Sequence, residues 1–163
     1  MEVIDNFLEP YYFDQLYARL MEDEIPWYYN DYKVKDDALY QFIHGFYHFN
    51  RGGVVSDYFD IFEYILYKLR IKELYRIKAN LTPRTKSHDH SAWHVDFPNL
   101  SVGKTAIFYM NTNNGWTKFK KGGRVKSVAN RIVIFDSDVE HAGVTCTDEK
   151  RRVVVNFNYV PAL

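Results

Sequence analysis

The chain has 163 residues, enough to bury a substantial core in one domain without disulfides or a structural metal. Its 21 Lys plus Arg balance 21 Asp plus Glu, which argues against a global field directed at nucleic acid or an anionic membrane surface. The one cysteine, Cys146, excludes an intramolecular disulfide and a cysteine zinc cluster and fits a reducing compartment. No charged-then-apolar leader and no apolar run near ~18 residues occur, so a cytoplasmic protein is expected, neither secreted nor membrane-spanning. Aromatics reach 18% of residues, including 14 Tyr, whose polar tip suits the rim of a core or a pocket wall.

Val3 to Leu8 reads as a short extended entry, and Glu9 to Met21 as an amphipathic helix with Tyr12, Phe13, Leu16, Leu20 and Met21 near one face. Asp23 to Asp37 is acidic, tyrosine-rich and aperiodic, with at most a short strand around Trp27 to Tyr29. After Arg51-Gly52-Gly53, a second helix is predicted from Ser56 to Leu69, with Ser56 as N-cap and Phe59, Phe62, Ile65, Leu66 and Leu69 as its apolar stripe. From Leu74 onward the pattern turns extended. Leu74 to Leu81 alternates, Pro83 to Asp89 is a polar loop, Trp93 to Asp96 is extended, and Pro98 to Gly103 is a turn. In Lys104 to Met110, Thr105, Ile107 and Tyr109 share a face. An Asn-rich turn follows at Asn111 to Gly115, then a basic Gly-Gly hairpin at Lys118 to Gly123 and strands at Arg124 to Val128, Arg131 to Phe135 and Arg152 to Tyr159. Helices ahead of about seven short strands predict an α+β, mainly β fold with a sheet sandwich or jelly roll as its β part. With no repeat or linker, 1–163 reads as a single domain, helical over 1–73 and with its β core over 74–160.

Trp93-His94-Val95-Asp96 organises the rest. Side chains of an extended segment alternate with period two, so His94 and Asp96 project to one side and can grip one ion. Alone, such a triplet is more often a surface feature than a ligand pair. His141 adds weight, because it follows the apolar run Ile132 to Phe135, precedes an expected Ala-Gly turn and is separated from Asp96 by strands that can form a far wall. Two imidazoles and a carboxylate on one face of an octahedral ion leave three positions open, as in non-haem Fe(II) oxygenases. Arg152 begins Arg-Val-Val-Val-Asn-Phe-Asn-Tyr and shares a strand face with Val154, Asn156 and Asn158. A buried guanidinium needs an anion, and a bidentate carboxylate suits it best. Arg151, on the face with Val153, Val155, Phe157 and Tyr159, is the alternative.

These residues resemble the Fe(II)- and 2-oxoglutarate-dependent dioxygenases, and within them the prolyl-4-hydroxylase-like branch that includes many small bacteriophage members. The resemblance rests on the order His-Val-Asp, Pro-Asn, Phe-Tyr-Met-Asn, Gly-Gly, Phe-Asp-Ser, His and Arg over about residues 74 to 160. It implies a distorted double-stranded β-helix, a cupin-like jelly roll of two facing sheets with the N-terminal helices packed on one. It implies His94, Asp96 and His141 as iron ligands and Arg152 as the partner of the distal carboxylate of 2-oxoglutarate, with the Tyr109 hydroxyl helping to hold it. Asn80 matches a polar or aromatic position of the co-substrate pocket, and a strand-end asparagine in a turn is an equal reading of it. The implied cofactors are Fe(II), 2-oxoglutarate as co-substrate and dioxygen, with ascorbate as an accessory reductant. The implied reaction is hydroxylation of an unactivated C–H bond coupled to decarboxylation of 2-oxoglutarate to succinate. Halogenating members replace the carboxylate ligand with a small residue, so Asp96 points to hydroxylation.

A peptide or small-molecule substrate is expected, a peptidyl proline or other amino-acid residue first and a small metabolite next. The alternatives are the same chemistry on nucleic acid, or a cupin-like metal-binding protein without oxygenase activity. His88 and His90, in Ser-His-Asp-His, form a rival pair, but their polar setting suggests a solvated loop, with a lid over substrate as the functional alternative. His44 and His48, among aromatic neighbours, read as packing residues. Lys118, Lys120, Lys121 and Arg124, with Trp116 and Phe119 interleaved, form a basic cluster, more commonly a charged hairpin tip than a phosphate contact. Cys146 is given no catalytic role. The oligomeric state is not legible.

Overall fold

The computed structural model describes residues 1–22, 25–34, 39–97 and 102–162. The chain begins with strand β1 (Glu2–Ile4) and helix α1 (Pro10–Met21). Pro10 stands in the first turn of α1, where its fixed φ suits a helix and its missing N–H costs nothing. Strands β2 (Tyr28–Asn30), β3 (Gln41–His48) and β4 (Gly53–Val54) follow. A 3-10 turn over Phe59–Phe62 leads into a short helix, α2 (Glu63–Lys68). Then come β5 (Ile71–Pro83), β6 (Lys104–Tyr109), β7 (Trp116–Phe119) and β8 (Arg124–Lys126). The chain closes with β9 (Arg131–Asp136), β10 (His141–Val144) and β11 (Arg151–Pro161).

Among the described residues the strands form two antiparallel sheets. The larger has the order β1-β9-β6-β11-β5-β3-β2, with β4 beside β3; the smaller is β10-β7-β8. The fold is mainly β, a jelly roll of facing sheets, as expected. Period-two alternation along β11 and β5 divides the molecule. Val153, Val155 and Phe157, with Ile77 and Ala79, face one way and join Leu16, Leu20, Met21, Phe62 and Ile65 in the main core. Helix α1 and the segment around α2 therefore cover the outer face of the large sheet. Arg151 also faces this side, where its Nη2 donates to the Met21 carbonyl at 2.6 Å and ties the end of α1 to β11. The opposite face of the large sheet meets the small one, where Ile107, Tyr109, Val133, Phe135 and Val154 pack against Phe119 and Val125.

Five expectations are corrected. The helices do not precede the strands, because β3 lies between them and pairs with β5. Its period-two signal is broken by Gly45 and a register shift between Gly45 and Tyr47. Consequently the strands number more than seven. The second helix starts at Glu63 rather than Ser56: the Ser56 hydroxyl is engaged by the Tyr58 N–H and by His44 Nε2, which makes a turn there instead of a helix cap. Ala142-Gly143 lies inside β10, not in a turn. Trp93 to Asp96 is no regular strand, since only His94 forms a bridge, to His141. Of the turn expected at Pro98 to Gly103, residues 98–101 lie outside the described residues, as do 23–24 and 35–38 of the acidic segment.

Candidate metal and co-substrate site

The inward face of the large sheet is polar where an apolar lining would be ordinary. Arg76, Lys78, Asn80 and Thr82 of β5 share one side of that strand, and the register sets them against Asn158, Asn156, Val154 and Arg152 of β11. Together with Ile107, Thr117, His141 and Gly143 they line a cavity of about 250 Å³ between the sheets. The segment preceding His94 closes one side by running along the free edge of β10. The Ser91 N–H bonds to the Gly143 carbonyl, and His94 and His141 exchange both backbone hydrogen bonds at 3.1 and 3.0 Å.

That exchange brings two imidazoles together, with ring centroids 4.4 Å apart. One ligand atom from each of His94, Asp96 and His141 falls within 4.8 Å of the others. Each imidazole bonds through Nδ1 to a backbone carbonyl, His94 to Ala92 and His141 to Val139, which makes Nδ1 the protonated nitrogen and frees Nε2 as an acceptor. His141 Nε2 is buried without a hydrogen-bond partner. Burial, followed by the neighbouring His141, pushes the His94 pKa down, against opposing pulls from Asp96 and the Ala92 carbonyl. The His94 ring thus favours its neutral form, the form in which imidazole binds a metal, and His141 offers an Nε2 that no other group engages.

Asp96 is held from the other side. One carboxylate oxygen accepts from Arg76 Nη2 at 3.1 Å, and the other from Asn158 Nδ2 at 2.9 Å and Thr105 Oγ1 at 3.3 Å. Arg76 Nε also donates to Asn158 Oδ1, so the two supports brace each other. Burial alone would raise the Asp96 pKa; the Arg76 guanidinium, then His141, Asn158 and His94, outweigh it and hold the carboxyl well below the usual range.

Arg152 enters the cavity from β11 and is only 3% exposed. Its Nε donates to Ser127 Oγ at 2.9 Å and its Nη2 to Thr117 Oγ1 at 3.1 Å, both neutral acceptors. Among the described residues no carboxylate pairs with it, and burial works against its charge. One glycine gives the Arg152 side chain its room: a Cβ on Gly115 would lie 2.9 Å from Arg152 Cδ and 2.8 Å from the Val144 carbonyl. Gly115→Ala is therefore expected to displace the Arg152 side chain and cost about 1–3 kcal/mol by overpacking, measurable as a fall in denaturation midpoint.

Tyr109 is fully buried but does not line the cavity. Its hydroxyl bonds Thr117 Oγ1 at 2.7 Å, and its ring lies 5.6 Å from the Arg152 guanidinium carbon. Asn80 lines the cavity, with Nδ2 3.4 Å from Asn156 Oδ1. His88 and His90 stay apart from the triad. They lie beside the outer face of the small sheet, His88 against Trp116 and His90 near Trp93. His44 is buried between the Pro26 carbonyl and Ser56. In the hairpin cluster, Lys118 lies over Trp93, Arg124 over Trp116, and Lys120 pairs with Glu140. Sequence reasoning missed Arg76, Lys78, Thr117 and Ser127. The first two were accessible to it, since they stand at i−4 and i−2 from Asn80 and share its strand face.

Neither a family model nor a curated protein sequence matches the chain. Solved structures do. A prolyl-4-hydroxylase from Pseudomonas putida superposes with TM-score 0.69 at 15% identity, over 99% of this chain and 92% of that one. A prolyl hydroxylase from Trichoplax adhaerens, in complex with a hypoxia inducible factor peptide fragment, gives TM-score 0.60 at 16% identity over 97% and 82% of the two chains. The non-heme alpha ketoglutarate dependent carbocyclase SnoK of nogalamycin biosynthesis gives 0.69 at 12% identity over 98% and 79%. The fold is therefore that of the Fe(II)/2-oxoglutarate oxygenases, of which the prolyl-4-hydroxylases are one branch. Among the described residues no helix is long and apolar enough to cross a membrane.

Proposed function

We propose that this chain, acting as a single domain over 1–163, is an Fe(II)- and 2-oxoglutarate-dependent dioxygenase that hydroxylates a C–H bond of a peptide or small-molecule substrate. The observation that carries the reading is the convergence on one cavity of three metal-ligating groups and a buried guanidinium that has no carboxylate partner among the described residues. The donor set fits the metal: two imidazole Nε2 atoms and an ionised carboxylate, with His141 Nε2 lacking any other partner. When bound, the iron and co-substrate supply the oxidation, in which one atom of dioxygen enters the substrate hydroxyl and the other enters succinate as carbon dioxide leaves 2-oxoglutarate.

The remaining tasks belong to the chain. Arg76, Asn158 and Thr105 orient the Asp96 carboxylate, and the Ala92 and Val139 carbonyls set the tautomers of His94 and His141. Arg152 takes the distal carboxylate of the co-substrate, and Thr117, bonded by Tyr109, keeps the guanidinium in place. Tyr109 thus acts through Thr117 rather than on the ligand itself. The sheets exclude bulk water from all but the open mouth of the cavity.

The test is succinate formation from 2-oxoglutarate in air with added Fe(II). Wild type is expected to form succinate, uncoupled at first, and Asp96→Ala none above the metal-only background. Equal rates for the two proteins would sink the reading.

A further inference from the structure

Among the described lining of the cavity, Arg76, Lys78 and Arg152 stand against a single carboxylate, Asp96. Arg76 is committed to Asp96, and on the reading above Arg152 is committed to the distal carboxylate of 2-oxoglutarate. Lys78 is left over. No carboxylate among the described residues forms an ion pair with it. It projects from the middle of β5 between Arg76 and Asn80 and lines the same cavity as His94 and Asp96. Burial, with Arg76 second, pushes its pKa down to about 8, so the site holds a cation at a cost that an incoming anion would relieve. Arg152 stands opposite Thr82, four residues and roughly 13 Å farther along β5 at the usual rise per residue, so the two cations spring from different points of the cavity wall.

We infer that Lys78 is the counter-ion for a carboxylate on the substrate itself, which makes this an oxygenase for an acidic substrate, with the carboxylate seated beside the metal triad. The inference rests on the dioxygenase reading and narrows it. A prolyl ring has no charge for Lys78 to meet. Asn156, opposite Lys78 in the ladder, and Asn80 beside it supply neutral polar groups to the same wall. The cavity, about 250 Å³ in all, suits a small acid or one acidic side chain inserted from a peptide.

The experiment uses the full chain loaded anaerobically with Mn(II) and 2-oxoglutarate. It is titrated calorimetrically with free aspartate and glutamate, with asparaginamide and glutaminamide, which carry no carboxylate, and with blocked peptides carrying Asp, Glu, Asn, Gln or Pro. The same panel is then scored for stimulation of succinate formation with Fe(II) in air. At least one acid is expected to bind ten-fold or more tighter than its amide. A free acid identifies a metabolite substrate, and a blocked peptide a peptidyl one. Lys78→Met should abolish that preference while leaving the Kd for 2-oxoglutarate within two-fold, and Lys78→Arg should restore it in part. Amides or prolyl peptides that match or exceed the acids would overturn the inference. So would an acid preference that survives Lys78→Met, or a Lys78→Met variant that loses 2-oxoglutarate as severely as the acid, because Lys78 would then serve the co-substrate. Failure of wild type to bind Mn(II) and 2-oxoglutarate at all overturns the dioxygenase reading, and this inference with it.

Discussion

Replacing Arg152 with Met is expected to weaken 2-oxoglutarate binding severely and, in the same protein, to raise the melting temperature of the ligand-free form. The guanidinium is 3% exposed, and its bonds go to two neutral hydroxyls, so the ligand-free fold carries a buried charge without an ion-pair partner among the described residues. Exchanging buried charge for an apolar side chain of similar length is often neutral or stabilising, by ~1–4 kcal/mol. Ser127 and Thr117 lose a donor in the exchange, which sets the expected gain at about 1 kcal/mol, or roughly 2–4 °C for a chain of this size. Affinity moves the other way. Removing one partner of a buried charge pair costs about 2–5 kcal/mol, and each ~1.4 kcal/mol is ten-fold in Kd, so 2-oxoglutarate should bind 30-fold to several-thousand-fold more weakly. Arg151→Ala is the control. It loses the bond to the Met21 carbonyl, about 1 kcal/mol of stability, and leaves 2-oxoglutarate binding within two-fold. Thermal melts and calorimetry on the two variants check all of this; an Arg152→Met protein that melts several degrees lower would make the guanidinium a structural group instead.

Asp96→Ala should remove the thermal shift produced by Mn(II) and destabilise the metal-free protein as well. Saturation at one hundred times Kd stabilises a fold by ~2.7 kcal/mol, which for wild type is roughly 5–10 °C. The variant should show less than a degree. Without metal the loss comes from Arg76 and Asn158, which are left facing no carboxylate. Breaking a buried pair costs about 3–5 kcal/mol, and the lower end applies because the Arg76 side chain keeps 21% exposure. The gap between wild type and variant has a definite pH dependence. A carboxyl whose folded pKa is depressed contributes in full above its unfolded value, about 3.9, and loses that contribution as pH falls toward the folded one. Melts from pH 7 down to pH 3 should therefore show the gap closing only below about pH 4.

Much of the architecture and of the candidate site could be read from residue order because period-two alternation is a local property. Along Arg152 to Tyr159 it separates the cavity side from the core side, and the choice of Arg152 over Arg151 as the inward residue follows from Asn156 and Asn158 alone. The same rule applied to Leu74–Leu81 would have found Arg76 and Lys78 beside Asn80. Other features were illegible for physical reasons. Gly45 and the register shift after it conceal β3, and the Ser56 hydroxyl is drawn away from a helix cap by His44, a partner fixed only by tertiary structure. Thr117 and Ser127 give no signal, since any strand can carry a hydroxyl and their value arises only once Arg152 lies across the cavity. Asp96 shows the limit from the other direction. Its partnership with His94 was read from strand geometry, yet the segment is held by one bridge and not a ladder, and Arg76, Asn158 and Thr105 fix the carboxylate.

That single bridge has a kinetic consequence. On the proposed metal reading, an ion between two imidazoles whose residues exchange backbone hydrogen bonds would not shed one histidine by side-chain rotation without straining against the Nδ1 bonds to Ala92 and Val139. Departure would instead need the segment before His94, also held at His90 and Ser91, to peel away from the edge of β10. The lifetime of the bound ion and the exchange lifetime of the His94 and His141 amides would be set by one opening event, and any change that loosens this edge would shorten both together.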